Sequence, residues 1–226
     1  GLSFVGGGDQ LVTCSRDQTI KCWDISSGFC VKTLNGHSDW VRCLSANIDN
    51  VHIASGGNDS TIIIWNLSNS QAEQTLRGHE HVVESLDYCS NSGHAQSQKH
   101  QSSSDPSSPA AHTGISSISP ESTWLVSGSR DKYVKLWDTT KGTCIMSFAC
   151  HENWVRSVIF HPSGKYIISC SDDKSIRVLD IRTERVLRTI SNAHSHFISS
   201  IAFSPNHMRL VSGSVDKCLN VWPTGN

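Results

Sequence analysis

The chain has 226 residues, 37% hydrophobic and 17% charged, which is long enough to bury a substantial core. A formal net charge of −1 excludes a protein that holds nucleic acid through bulk positive charge, although a local basic patch fits inside a neutral total. No apolar run approaches the roughly 18 residues that span a bilayer, no charged-then-apolar leader opens the chain, and the nine cysteines lie singly without a C-x-x-C pair.

The first recognisable unit is "TCSRDQTIKCWD" (13–24), and it returns as "SGGNDSTIIIWN" (55–66), "SGSRDKYVKLWD" (127–138), "SCSDDKSIRVLD" (169–180) and "SGSVDKCLNVWP" (212–223). Its closing residues, Trp23, Trp65, Trp137, Leu179 and Trp222, are separated by 42, 72, 42 and 43 residues. Removal of one insertion of about 30 residues therefore leaves a constant period. A histidine travels with each later unit: His37, His79, His151 and His194. Between these landmarks, short alternating runs such as Val155, Val158 and Phe160 are broken by turns such as "HPSGK" and "SDDK", which is the pattern of strands and not of helices.

A period of 40 to 45 with G-H and W-D landmarks is that of a WD-repeat β-propeller, with four strands in each blade. The expected fold is all-β and a partial propeller of about five blades, whose ring this chain does not close alone. The boundaries are residues 1–34 for a first blade truncated at its start, 35–77 for the second, 78–149 for the third, 150–191 for the fourth, and 192–226 for a fifth that lacks its outer strand. Residues 89–120, rich in Ser, His, Gln and Pro, form an insertion in the third blade and are expected to be disordered. The spread of single cysteines suits a reducing, intracellular setting, and a chain that starts in mid-pattern reads as a fragment.

Matching offsets assign a structural framework to each unit: His37, Ser55, Asp59 and Trp65; His79, Ser127, Asp131 and Trp137; His151, Ser169 and Asp173, with Leu179 in place of Trp; and His194, Ser212, Asp216 and Trp222. Ser, His and Asp together also suggest a hydrolase triad, but an enzyme needs one triad in one cleft, and this set recurs without any G-x-S-x-G elbow. No enzyme activity is expected. "GGG" at 6–8 lacks the spacing of a phosphate loop, and the histidines show no metal-ligand spacing, so neither cofactor nor metal is expected.

The framework leaves certain side chains unexplained. Arg16, Arg130 and Lys174 stand beside the turn aspartates, while Trp40 with Arg42 and Trp154 with Arg156 follow the histidines. In a propeller both loop sets share one face, so basic groups gather around aromatics in a manner suited to an acidic protein partner.

The strings "VTCSRDQTIKCWD", "GFCVKTLNGHSDWVR", "HVVES", "LVSGSRDKYVKLWD", "HENWVRSVIFHPSGKYIISCSDDKSIRVLD" and "GSVDKCLNVW" closely resemble the lissencephaly protein family. These are WD-repeat regulators of cytoplasmic dynein that also serve as non-catalytic subunits of a platelet-activating-factor acetylhydrolase. The resemblance covers nearly the whole chain apart from the insertion and implies the last five of seven repeats. It also implies docking on the dynein heavy chain motor domain through Arg16, Arg42, Arg130, Trp154 and Lys174. Further implied are NudE-type coiled-coil adaptors as partners, a cytoplasmic location on the cytoskeleton, centrosome and spindle, and roles in minus-end-directed transport, nuclear migration and spindle positioning. Dimerisation would need the family's N-terminal region. No direct nucleic-acid contact and no membrane insertion are expected. Departures occur at Leu179, over "LSANIDNVHIASGG" (44–57), and at Pro223, where an acidic residue is usual. Two other readings stand beside the leading one: a scaffold for acetylhydrolase catalytic subunits, and the substrate-recognition propeller of a ubiquitin ligase.

Overall fold

The computed structural model describes residues 1–89, 123–204 and 209–223. The short alternating runs form five antiparallel sheets. The first contains β1 (Leu2–Val5), β2 (Gln10–Cys14), β3 (Thr19–Asp24) and β4 (Cys30–Asn35), and the second β5 (Val41–Ala46), β6 (His52–Gly57), β7 (Ile62–Asn66) and β8 (Gln71–Leu76). The third contains β9 (Val83–Tyr88), β10 (Trp124–Ser129), β11 (Val134–Asp138) and β12 (Thr143–Phe148). The fourth is β13 (Val155–Phe160), β14 (Tyr166–Ser171), β15 (Ile176–Asp180) and β16 (Arg185–Ile190), and the fifth β17 (Ile198–Ser204), β18 (Arg209–Ser214) and β19 (Leu219–Pro223).

Every sheet is a meander, with consecutive strands as hydrogen-bonded neighbours. The first strands of successive sheets lie side by side, β1 on β5, β5 on β9, β9 on β13 and β13 on β17. The architecture is thus a partial propeller of five blades, and these blades do not close a ring. "GGG" forms a 3-10 turn between β1 and β2. Most of the insertion, whose expected disorder concerns residues 89–120, lies outside the described residues; the chain enters it after β9 and leaves it before β10.

A blade is apolar on both faces, so its natural partner is the next blade. Four buried clusters accordingly fill the four seams between consecutive blades. Val126, Val134 and Leu136 of the third blade meet Val155, Val158 and Ile167 of the fourth, for example. Polar groups cross the same seam: the Phe160 N–H donates to Asp87 Oδ2 at 2.7 Å, and the Val158 N–H to Ser85 Oγ at 3.1 Å.

Close approach at the second–third and third–fourth seams requires glycine in the second strand, where the first and fourth blades have Cys14 and Cys170. A Cβ on Gly56 would sit 2.6 Å from Val83 Cγ1, and one on Gly128 would sit 2.7 Å from Val155 Cγ1 and 2.8 Å from Val158 Cγ1. The matching Gly213 in the fifth blade meets only the exposed Leu219 side chain, at 3.3 Å. Overpacking a seam costs about 1–3 kcal/mol. Gly128→Ala should therefore lower the urea-unfolding free energy by about that amount, whereas Gly213→Ala should change it by less than about 1 kcal/mol.

Asp87 supplies a second test. Burial raises its carboxyl pKa to about 6, against a smaller lowering by the Phe160 N–H. A folded pKa above the unfolded value means that the contribution to stability is full below about pH 4 and is lost as pH rises through about 6. Asp87→Asn keeps an acceptor for Phe160 and removes the buried charge. Equilibrium unfolding should find the variant about 1–3 kcal/mol more stable than wild type at pH 7.5, with the gap closed at pH 4.

Candidate functional site

The second, third and fifth blades each carry an internal hydrogen-bond chain from the loop before the first strand to the third strand. In the second blade, Trp65 Nε1 lies 2.8 Å from Ser55 Oγ, Ser55 Oγ lies 2.7 Å from His37 Nε2, and His37 Nδ1 lies 2.8 Å from Asp59 Oδ2. The third blade repeats this with Trp137, Ser127, His79 and Asp131 at 2.8, 2.7 and 2.7 Å. The fifth does so with Trp222, Ser212, His194 and Asp216 at 2.9, 2.8 and 3.0 Å. A neutral imidazole with its proton on Nδ1 gives every group one role: indole N–H to hydroxyl, hydroxyl to Nε2, and Nδ1–H to carboxylate.

The aspartate's two oxygens serve different loops. Asp131 Oδ1 accepts from the Tyr133 N–H at 3.0 Å and so closes its own turn. Its Oδ2 accepts from the Glu80 N–H at 3.1 Å as well as from His79. Burial would raise the carboxyls of Asp59, Asp131 and Asp173, but hydrogen bonds from the histidines and turn residues outweigh it and hold all three below the usual carboxylate range. The chain thus pins the histidine loop to the aspartate turn.

The fourth blade departs from this pattern twice. His151 spans Ser169 and Asp173 at 2.8 Å each, but Leu179 is fully buried where an indole stands elsewhere. Cys150 occupies the position before the histidine, which is Gly36 and Gly78 in the second and third blades. Gly36 there clears the Trp65 ring, which a Cβ would meet at 2.7 Å. The smaller Leu179 leaves room for a side chain, and Cys150 lies in the same buried cluster. The two departures compensate in volume.

The residue before each turn aspartate donates its amide to the carbonyl of the residue three after the histidine: Asn58 to Trp40 at 2.8 Å, Arg130 to Val82 at 3.0 Å, Asp172 to Trp154 at 3.0 Å and Val215 to Phe197 at 3.0 Å. Side chains of the two loops are therefore held together. Within a blade, the residue five after the histidine reaches the one before the aspartate. Arg42 Nε donates to Asn58 Oδ1 at 2.7 Å, Arg130 Nε to Glu84 at 2.5 Å, and Arg156 grips Asp172 with two bonds of 2.8 Å.

Neighbouring blades then complete two sandwiches. Arg16 of the first blade lies 4.5 Å from the Trp40 ring centroid, with Arg42 at 5.6 Å from the same ring. Arg130 of the third blade lies 4.2 Å from the Trp154 centroid, with Arg156 at 4.9 Å. The other two seams have Val82 and Phe197 at the tryptophan position, so the Arg–Trp–Arg arrangement occupies alternate seams. Six of the seven candidate contact residues thus converge in two groups of three. Lys174 joins neither sandwich; it stands in the turn after Asp173 with φ of 66° and is partly exposed.

Charges on the two sandwiches are handled differently. Glu84 and Asp172 meet Arg130 and Arg156 with carboxylates, whereas no salt bridge holds Arg16 or Arg42 among the described residues. Asn58, Glu84 and Asp172 were not singled out by sequence reasoning. Their signal was positional, because they share offsets with Arg42, Arg130 and Arg156 in adjacent repeats. Among the described residues no cluster could hold a metal ion, and no helix is long and apolar enough to cross a membrane.

Comparison with known proteins is consistent with this geometry. The family model "WD domain, G-beta repeat" matches residues 1–24, 28–66, 106–138, 142–180 and 184–223. Among curated proteins, "Nuclear distribution protein PAC1" of Coccidioides posadasii is 41% identical over 213 residues, which are 91% of this chain and 42% of that protein. "Nuclear distribution protein nudF 1" of Talaromyces marneffei is 37% identical over 218 residues, 95% of this chain and 46% of its own length. "Nuclear distribution protein nudF" of Emericella nidulans is 37% identical over 203 residues, 88% and 43% respectively. The chain spans less than half the length of these relatives.

Proposed function

The chain belongs to the WD domain, G-beta repeat family, and from that premise we propose that it is the docking part of a non-catalytic regulator of cytoplasmic dynein in nuclear distribution. The relatives' names supply the process, and the resemblance to the lissencephaly protein family supplies the motor. On this reading the partner is the dynein heavy chain motor domain. It is engaged by the face carrying Arg16, Trp40, Arg42, Arg130, Trp154, Arg156 and Lys174, and microtubule-based nuclear migration and spindle positioning follow from that contact.

The two Arg–Trp–Arg sandwiches carry the proposal. Tryptophan and arginine are favoured interface anchors, and a guanidinium stacked on an indole is held in one orientation before binding, which reduces the ordering cost at association. Framework groups serve a different purpose. His37, Ser55, Asp59, Trp65 and their counterparts hold the loops, and His79 and Ser127 are buried, so they offer nothing to a partner.

Arg130→Ala combined with Trp154→Ala should lower affinity for the dynein motor domain about 30-fold or more, the scale expected when interface anchors are removed. Titration calorimetry or a quantitative pull-down reads the loss, and cooperative unfolding of the variant shows that the blades remain formed. Unchanged binding would move the acetylhydrolase scaffold reading ahead.

A further inference from the structure

The Trp154 seam contains an acid in a place where an acidic partner would gain nothing from it. Glu84 on β9 lies 2.5 Å from Arg130 Nε and 3.8 Å from Arg156 Nη1, with only 11% of its side chain exposed. It is thus the one carboxylate that touches both guanidiniums of the sandwich among the described residues. In the fourth blade the same offset holds Arg156, whose carboxylate partner is Asp172. The pair is therefore reversed between adjacent blades, acid then base along the third and base then acid along the fourth. That reversal is what sends two arginines toward one ring. With the fourth blade's polarity repeated in the third, Arg130 would be an acid, and Trp154 would have a guanidinium from its own blade alone.

We infer that Glu84 is a positioning residue for the docking face: its carboxylate holds Arg130 and Arg156 close to the Trp154 ring, and the face depends on it despite its charge. This inference rests on the docking reading for its biological meaning, but the clamp itself is a property of the free chain. The seam around Trp40 shows the contrast. There Arg42 is held by the neutral Asn58 and Arg16 by no salt bridge, so that sandwich keeps its guanidinium charge open to an acidic group. The Trp154 sandwich is internally paired and presents shape and stacking.

The sign of the effect separates positioning from bulk attraction. If the face only accumulated positive charge, removal of Glu84 would tighten binding to an acidic surface. If Glu84 positions the arginines, Glu84→Gln should weaken it, by about fivefold to tenfold for a charge-assisted pair, and should add a smaller loss in an Arg130→Ala background, where only Arg156 is left for it to hold. A partner-free measurement runs alongside. Acrylamide quenching of Trp154, obtained by difference against Trp154→Phe in each background, should rise in Glu84→Gln as the guanidiniums leave the ring faces. Glu84→Asp, which keeps the charge, should recover part of both effects. Tighter or unchanged binding in Glu84→Gln, or unchanged quenching, would overturn the positioning role. Absence of motor binding by the wild-type chain would refute the docking reading only, and the quenching arm would still decide on the clamp.

Discussion

A serine hydroxyl buried between an indole and an imidazole is the group on which the loop geometry of the second, third and fifth blades rests. Ser55, Ser127 and Ser212 are inaccessible or nearly so, and each accepts from one ring while facing Nε2 of another. Burying such a polar group without partners costs about 1–3 kcal/mol. The chain of bonds removes that cost, and in doing so fixes the distance between two loops far apart in sequence. His37 and Asp59 or His79 and Asp131 are brought to within 3 Å. The pairing of these two loops follows from that closure, because the residue before the aspartate and the residue three after the histidine are then close enough to share a backbone bond.

The second level of order lies between blades. Seams are packed with β-branched and leucine side chains, and Gly56 and Gly128 let the valines of the third and fourth blades approach. Since blades are fixed relative to one another, a loop residue of one blade has a definite neighbour on the next. Arg16 therefore meets Trp40 across one seam, and Arg130, held by Glu84 of its own blade, meets Trp154 across another. Recognition on this account is a product of packing: the framework sets the loops, the seams set the pairing, and the paired side chains are left on the surface.

Much of this was legible in the sequence. The period, the strand pattern and the Leu179 exception were readable because a repeat displays its own alignment, and each offset can be compared with its counterparts. What was less legible involved two units at once. The match of Cys150 to Leu179 needs the knowledge that a glycine elsewhere clears an indole, which only the packing reveals. Glu84 resembles an ordinary surface acid until it is seen between Arg130 and Arg156. The reading of a basic rim around exposed aromatics was incomplete for the same reason. Arg130 and Arg156 do gather at Trp154, but Glu84 and Asp172 accompany them, so the two sandwiches differ in the charge they leave available.

Side-chain oxidation footprinting of the chain, alone and with the dynein motor domain, tests the central claim most directly. Mass spectrometry would report the modification of each tryptophan separately. The account predicts that Trp40 and Trp154 become protected together on binding, while Trp65 and Trp137, buried in the framework, are unreactive in both states. Binding with Trp40 and Trp154 still oxidised at their free rates, and protection confined to the opposite face, at Asn47 and Ile48 in the connection between β5 and β6, would contradict it.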